Sequence, residues 1–239
     1  MIKRKIEVCF SPALYQYFEN KDAIVVIVDI LRASSAICTA FMNGVSNIIP
    51  VATLEEAREY KNSGFLVAAE RDGIVRDFAD FGNSPFNFTS GRVMGKSIVY
   101  STTNGTQSIR LASNSYKVII GSFLNFSAIN RYVTGEDRDV LIFCAGWKNK
   151  FNLEDTLYAG AMTDSLLSGD HFTTVCDSAH ASQDLWNIAK DNLNGYVEKA
   201  AQRHRLKKNG LDDVMQYCHT FDLTDVIPVL KENFLVALK

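Results

Sequence analysis

The chain is poor in the signatures that name a common function outright. Its 239 residues include only four histidines and five cysteines. His171, His180, His204 and His219 show neither HxH nor HExxH spacing, which excludes ordinary zinc sites. Cys9, Cys38, Cys144, Cys176 and Cys218 stand far apart with no CxxC pair. An odd number, wide spacing and apolar neighbours point to reduced thiols and a cytoplasmic setting. GxxxxGKS/T and GxGxxG loops are absent, which argues against the usual nucleotide cradles. Charge of one sign is lacking too. The formal net charge is -2, so no basic field invites nucleic acid. No apolar run is long enough to span a membrane, and no apolar stretch follows the basic start Met1-Ile2-Lys3-Arg4-Lys5-Ile6. Neither a membrane partner nor a secretory signal is expected. Tandem repeats, low-complexity tracts and linkers are missing as well.

What is present is a hydrophobic content of 47%, enough for a sizeable core. Five short apolar runs each end in a polar cluster: Asp29-Ile30-Leu31-Arg32-Ala33-Ser34-Ser35, Glu70-Arg71-Asp72, Thr102-Thr103-Asn104-Gly105-Thr106, Gly121-Ser122 and Cys144-Ala145-Gly146. Continuous β-branched runs read as parallel strands buried on both faces. In open α/β sheets a ligand sits beyond the carboxyl ends of such strands. Strands are expected at 24–28, 47–51, 65–69, 97–100, 118–120, 140–143 and 172–176, alternating with helices at 34–43, 53–64, 106–113, 127–133 and 152–167. Thr53-Leu54-Glu55-Glu56 reads as a capping box. Residues 70–95 carry no periodicity, so this stretch is functional or hides a short hairpin. Beyond 182 the pattern turns helical: 182–208 as one helix or two broken near Gly195, then 211–218 and 223–238 with Pro228 as a kink or start. The expected fold is α/β, a three-layer α/β/α arrangement with a mostly parallel sheet and a helical C-terminal region. Residues 1–239 read as one domain, with a loose subdivision near 95. The amphipathic C-terminal helices would cover the core or form a homodimer face.

Several constellations can do chemistry, and each has a plainer reading. Asp29, Arg32, Ser34 and Ser35 put a carboxylate at a strand end and an Arg with two hydroxyls at a helix start, a cradle for phosphate. Asp29 can bind a cation or act as nucleophile. In the plainer reading a serine caps the helix and Asp29 pairs with Arg32. Thr102 to Thr106 offers hydroxyls, an amide and a close backbone approach at Gly105, or simply a turn and an N-cap. Glu154 and Asp155 fall in the first turn of the helix after Asn152, as dipole partners or as cation ligands. Glu70 lies at a strand end, Arg71 and Arg76 bring local positive charge, and Asn83-Ser84-Pro85 reads as a turn. A cysteine-phosphatase loop at Cys144 needs an Arg six positions on, where Lys150 stands. Cys144 is therefore expected to be a buried thiol.

Together these segments resemble one family. Val28-Asp29-Ile30-Leu31-Arg32-Ala33-Ser34-Ser35, Glu70-Arg71, Gly82-Asn83-Ser84-Pro85, Thr102-Thr103-Asn104-Gly105-Thr106, Cys144-Ala145-Gly146, Leu153-Glu154-Asp155 and Ala159-Gly160 occur in order over residues 28–160. The chain is similar in this to the 2-phosphosulfolactate phosphatases of the coenzyme M biosynthesis type. It departs from their pattern at Ala69, where a glycine is expected, and across Asp77-Phe78-Ala79-Asp80-Phe81, where a Gly-Phe step is expected. The resemblance implies a Mg²⁺-dependent phosphatase that turns 2-phospho-3-sulfolactate into 3-sulfolactate and phosphate, on a fold unlike the common phosphatase folds. The DxDx(T/V) element of haloacid-dehalogenase phosphatases is indeed absent, since Leu31 stands two positions after Asp29.

Such a substrate carries about four negative charges at neutral pH. Asp29, Glu70 and Asp155 are the candidate Mg²⁺ ligands, ahead of Glu154, and not all of them can be direct. Asp29, Arg32 and Asn104 are the candidate catalytic residues. Ser34, Ser35, Arg71, Asn83, Ser84, Thr103 and Thr106 are the candidate substrate contacts. Attack by water and attack by Asp29 itself both stay open. So do two other functions: a phosphatase for another small phosphorylated hydroxy acid, and a non-catalytic anion-binding protein.

Overall fold

The computed structural model describes residues 3–238; Met1 and Ile2 of the basic start lie outside the described residues. In chain order the elements are β1 (Arg4–Cys9), β2 (Ile24–Val28), α1 (Ala33–Met42), β3 (Asn47–Pro50), α2 (Leu54–Asn62), β4 (Leu66–Arg71), β5 (Ile74–Val75), α3 (Ser90–Val93), β6 (Ser97–Ser101), α4 (Gly105–Leu111) and β7 (Lys117–Gly121). There follow α5 (Phe126–Gly135), β8 (Val140–Cys144), α6 (Leu153–Leu167), β9 (Phe172–Thr173), α7 (Asp177–Ala189), α8 (Leu193–Val197), α9 (Ala201–Lys208), α10 (Met215–Cys218), β10 (Pro228–Lys231) and β11 (Phe234–Ala237).

The eleven strands form one sheet in the order β5-β4-β6-β3-β11-β10-β7-β2-β8-β1-β9. β2 pairs in parallel with β7 on one side and β8 on the other, so that Val28 lies level with Gly121 and Cys144. A second parallel set is β3, β6 and β4. The hairpin β10–β11 joins the two sets, antiparallel to β7 and to β3. Counting directions across it, the second set runs opposite to the first. Twist of roughly 20–25° at each strand step accumulates over the five steps from β2 to β6. The opposed strands therefore still lean their carboxyl ends toward one cleft.

Alternating strand residues divide between two faces. Ile24, Val26 and Val28 pack with Ile6, Val8 and Ile142 against Ile129, Leu157 and Met162 of α5 and α6. Val25 and Ile27 face the other way, with Ala36, Ile37 and Ala40 of α1 and Ile109 of α4, and this cluster continues into the second set through Ile48, Ala68 and Ile98. The second set has its own small outer layer, where Ile49, Val67 and Val99 meet Ala57 of α2. The α/β/α layering is as expected, with a mixed sheet. Gly160 lets α6 and α7 touch: a Cβ there would lie 2.0 Å from the Ser182 carbonyl.

Several local expectations hold. Thr53 accepts from the Glu56 amide at 3.1 Å, one half of the expected capping box, and the aperiodic 70–95 stretch hides the β4–β5 hairpin. Others need correction. Residues 223–238 are not a helix. Val229, Leu230, Leu235 and Val236 pair across the two-residue loop Glu232-Asn233, where Glu232 has φ 53. The apolar residues of this stretch suit a helix stripe as well as a strand, and the pairing sites left by β7 and β3 decide between them. The 182–208 stretch breaks twice and yields α7, α8 and α9. Residues 4–9 form a strand that the pattern did not announce. Cys176 belongs to no strand but precedes α7 as its N-cap.

Candidate active site

Asp29 follows β2 directly and sits where the two parallel sets meet. Its Oδ1 accepts from the Ala33 amide at 3.2 Å, at the start of α1. Its Oδ2 would lie 3.1 Å from a Cβ on Gly105, the first residue of α4, a tighter contact than side chains normally make. Burial lifts the Asp29 carboxyl to about 7; the Ala33 amide opposes this and the Glu70 charge adds to it. The Leu31–Arg32 peptide that follows is cis. Arg32 is 3% exposed. Its Nη2 donates to Asn83 Oδ1 at 2.7 Å, while its Nη1 is buried with no partner.

The two carboxylates of α6 behave differently. Asp155 Oδ1 accepts from the Ile30 amide at 2.9 Å and Oδ2 from the Gly146 amide at 3.1 Å. Asp155 thus ties the loop after β2 to the loop after β8. Glu154 Oε1 is buried with no partner. Burial raises Glu154 to about 7, with the Asp29 charge adding to it, while Arg205 pulls the other way. Burial and the charges of Glu154 and Asp29 push Asp155 well up. Opposite them, Glu70 at the end of β4 is fully engaged. Oε2 accepts from the Gly73 amide at 2.7 Å, and Oε1 accepts from the Thr103 amide at 2.9 Å and from Thr103 Oγ1 at 3.3 Å. Asn104 Oδ1 accepts from the Lys148 amide at 3.0 Å, which leaves its NH₂ unassigned.

Asp29, Leu31, Arg32, Glu70, Asn83 and Asn104 line a cavity of about 20 Å³, with room for about one water; Glu154 and Asp155 are buried in the first turn of α6 and do not line it. The other candidates lie elsewhere. Ser34 Oγ accepts from the Asp29 amide, and Ser35 Oγ donates to the Ile30 carbonyl. Both hold the α1 start in place and do not line the cavity. Thr106 and Thr102 bond each other across the first turn of α4. Ser84 precedes the short turn Pro85–Asn87 and makes no cap bond. Arg71 donates to the carbonyls of Glu70 and Ala52 and to Ser101 Oγ; it lines an open groove with Arg110 on the outer side of the Thr102–Thr103 strand end. Cys144 is fully buried.

Trp147, Gln202 and Leu206 close the cavity, and sequence reasoning missed all three. Gln202 Nε2 donates to the Leu31 carbonyl at 2.7 Å. The one signal was the basic run Arg203-His204-Arg205, which on a helix end reads as a dipole partner.

Among the described residues no group of three or more His, Cys, Asp or Glu stands ready to hold a metal ion. Asp29 lines the cavity, and Glu154, which feels the Asp29 charge, leaves its Oε1 without a partner. Mg²⁺ uses one or two carboxylates and completes its shell with water and substrate oxygens. A hard cation would also relieve the burial that lifts both pKa values. On these observations the donor set fits such an ion.

The model of the 2-phosphosulpholactate phosphatase family matches residues 9–233. A probable 2-phosphosulfolactate phosphatase of Caldanaerobacter subterraneus subsp. tengcongensis is 36% identical over 219 residues, covering 90% of each chain. One of Thermotoga maritima, also named a probable 2-phosphosulfolactate phosphatase, is 38% identical over 211 residues, covering 88% of this chain and 90% of its own. By match and by coverage, the chain belongs to the 2-phosphosulpholactate phosphatase family.

Proposed function

We propose that this chain is a phosphoric monoester hydrolase that converts 2-phospho-3-sulfolactate to 3-sulfolactate and inorganic phosphate with the help of Mg²⁺. Family membership supports the substrate. One observation carries the site: buried Arg32 Nη1 and Glu154 Oε1 lack partners, beside an Asp29 carboxyl raised to about 7. Buried polar groups are rarely left unpaired unless something else completes them. A phosphoryl group between a cation and Arg32 would complete them here.

Asp29 and Glu154 would hold the ion, which when bound supplies charge for the phosphoryl oxygens. Arg32 binds two phosphoryl oxygens, aimed by Asn83 through its second nitrogen. Asn104 orients a further oxygen, its own carbonyl fixed by the Lys148 amide. Asp155 and Glu70 keep the surrounding backbones in place. Asp29 either holds the ion or attacks phosphorus itself, and a trapped aspartyl phosphate at Asp29 would show the second. The five free cysteines support a cytoplasmic setting, where thiols stay reduced. No helix of the described residues is long and apolar enough to cross a membrane.

The test is phosphate release from 2-phospho-3-sulfolactate, with Mg²⁺ and with EDTA, beside phosphorylated hydroxy acids that lack a sulfonate. Turnover that prefers the sulfonate and stops in EDTA is expected. Equal or better turnover of the other acids would move the substrate assignment. Binding without any phosphate release would remove the enzyme reading.

A further inference from the structure

The cavity as it stands is small for the proposed substrate. Room for about one water does not hold a molecule with three anionic groups, so one wall must move. The wall built for this is α9. Only Gln202 and Leu206 of its eight residues are buried, and Gln202 is held by one hydrogen bond to the Leu31 carbonyl. Gly210 at φ 64 ends the segment. The helix is thus a small, polar roof with little apolar surface to expose on lifting.

The roof carries a cation whose internal contacts leave one nitrogen unused. Arg205 Nε donates to Gln202 Oε1 at 2.7 Å, and its guanidinium lies 4.3 Å over the ring of Trp147, itself a cavity wall. Arg205 Nη2 is buried with no partner. Glu154 Oε1 is buried without one as well, and the two side chains feel each other's charge. A guanidinium held over an aromatic ring with one nitrogen unused is placed to receive a planar or tetrahedral anion.

We infer that Arg205 is a specificity-determining residue, which grips the non-transferred sulfonate of the substrate once α9 has shifted to make room for it. Arg32 then serves the phosphate from the cavity wall, and Arg205, held against the wall residues Gln202 and Trp147, the sulfonate. This inference rests on the function proposed above.

The experiment uses the full chain with Mg²⁺. Binding of 3-sulfolactate and of inorganic phosphate is measured separately by calorimetry for the wild type, Arg205→Met and Arg205→Lys. Met keeps a stem over Trp147 and removes the charge. Loss of a charge-assisted contact predicts sulfolactate binding weakened on the order of 30-fold in Arg205→Met, partial recovery in Arg205→Lys, and phosphate binding unchanged. In turnover, KM for the sulfonated substrate should rise by a similar factor with kcat changed less than about threefold. A Trp186→Phe background leaves Trp147 as the single indole, and sulfolactate should change its emission as Arg205 leaves the ring. Unchanged sulfolactate affinity in Arg205→Met, or equal weakening of both ligands, overturns the inference. So does a wild type that binds no sulfolactate. Failure of the proposed reaction reads out separately, as no phosphate release by the wild type.

Discussion

The two walls of the cleft are built from the same residue types and treat them in opposite ways. On the β4–β6 wall Glu70 has both oxygens engaged by the Gly73 and Thr103 amides, and Arg71 is spent on two carbonyls and a hydroxyl. On the β2–β8 wall Glu154 Oε1 and Arg32 Nη1 have nothing, and burial lifts Asp29 and Glu154 to about 7. A satisfied buried charge is scaffold, while an unsatisfied one is held in readiness for a ligand, at a cost in stability. Residue type and rim position did not separate the two; hydrogen bonding does.

Asp29→Asn is the sharpest way to test the contrast. Phosphate release should fall by about 10³-fold or more if Asp29 serves the ion or the phosphorus. The same variant should melt higher than the wild type at pH 8, by roughly 5 °C, because it removes a carboxylate that folding keeps out of water. Normal turnover in Asp29→Asn would sink the site assignment.

Glu70→Gln tests the other wall. It keeps one oxygen acceptor and loses the second, which the Gly73 amide needs, so a stability loss of about 1–3 kcal/mol is expected, with activity down tenfold or less. Abolished activity with an unchanged melting temperature would make Glu70 a ligand and erase the distinction between the walls.

The smallest effect is in pH. For Asp29 and Glu154 the folded pKa lies above the unfolded one. Their stabilising contribution is full below about pH 4 and lost as pH rises toward 7. Metal-free protein should therefore lose a few degrees of melting temperature between about pH 6 and 8, and Mg²⁺ should restore them at pH 8. A melting temperature flat across that range without metal would contradict the raised values. His219 has the opposite sense: burial lowers it to about 4, so its share of stability is lost as pH falls from about 6.5.

Much of this was readable in advance, for reasons specific to each element. β2 and β8 announce themselves as unbroken β-branched and aromatic runs because both their faces are covered. Asp29, Arg32, Glu70, Asn83 and Asn104 all reach the cavity wall, as their places at strand and turn ends suggested. Ser34, Ser35 and Thr106 do not, because a short hydroxyl at a helix start finds backbone partners within its own turn first. The β10–β11 hairpin was misread, because its strand character comes from the two sheet edges it bridges. Trp147 and Gln202 carry no local mark of a site, and the basic run around Arg205 reads as a helix-dipole partner.

The alternation of strands and helices, the run of polar groups at strand ends and the family are all legible in the chain. Those depend on neighbours a few residues apart, through side-chain periodicity and capping. Only the tertiary structure decided that the two parallel sets run in opposite directions, that a C-terminal hairpin fuses them, and which carboxylates stay unpaired. Pairing edges and burial are properties of segments more than a hundred residues apart, such as Ile30 and Asp155, and no local pattern records them.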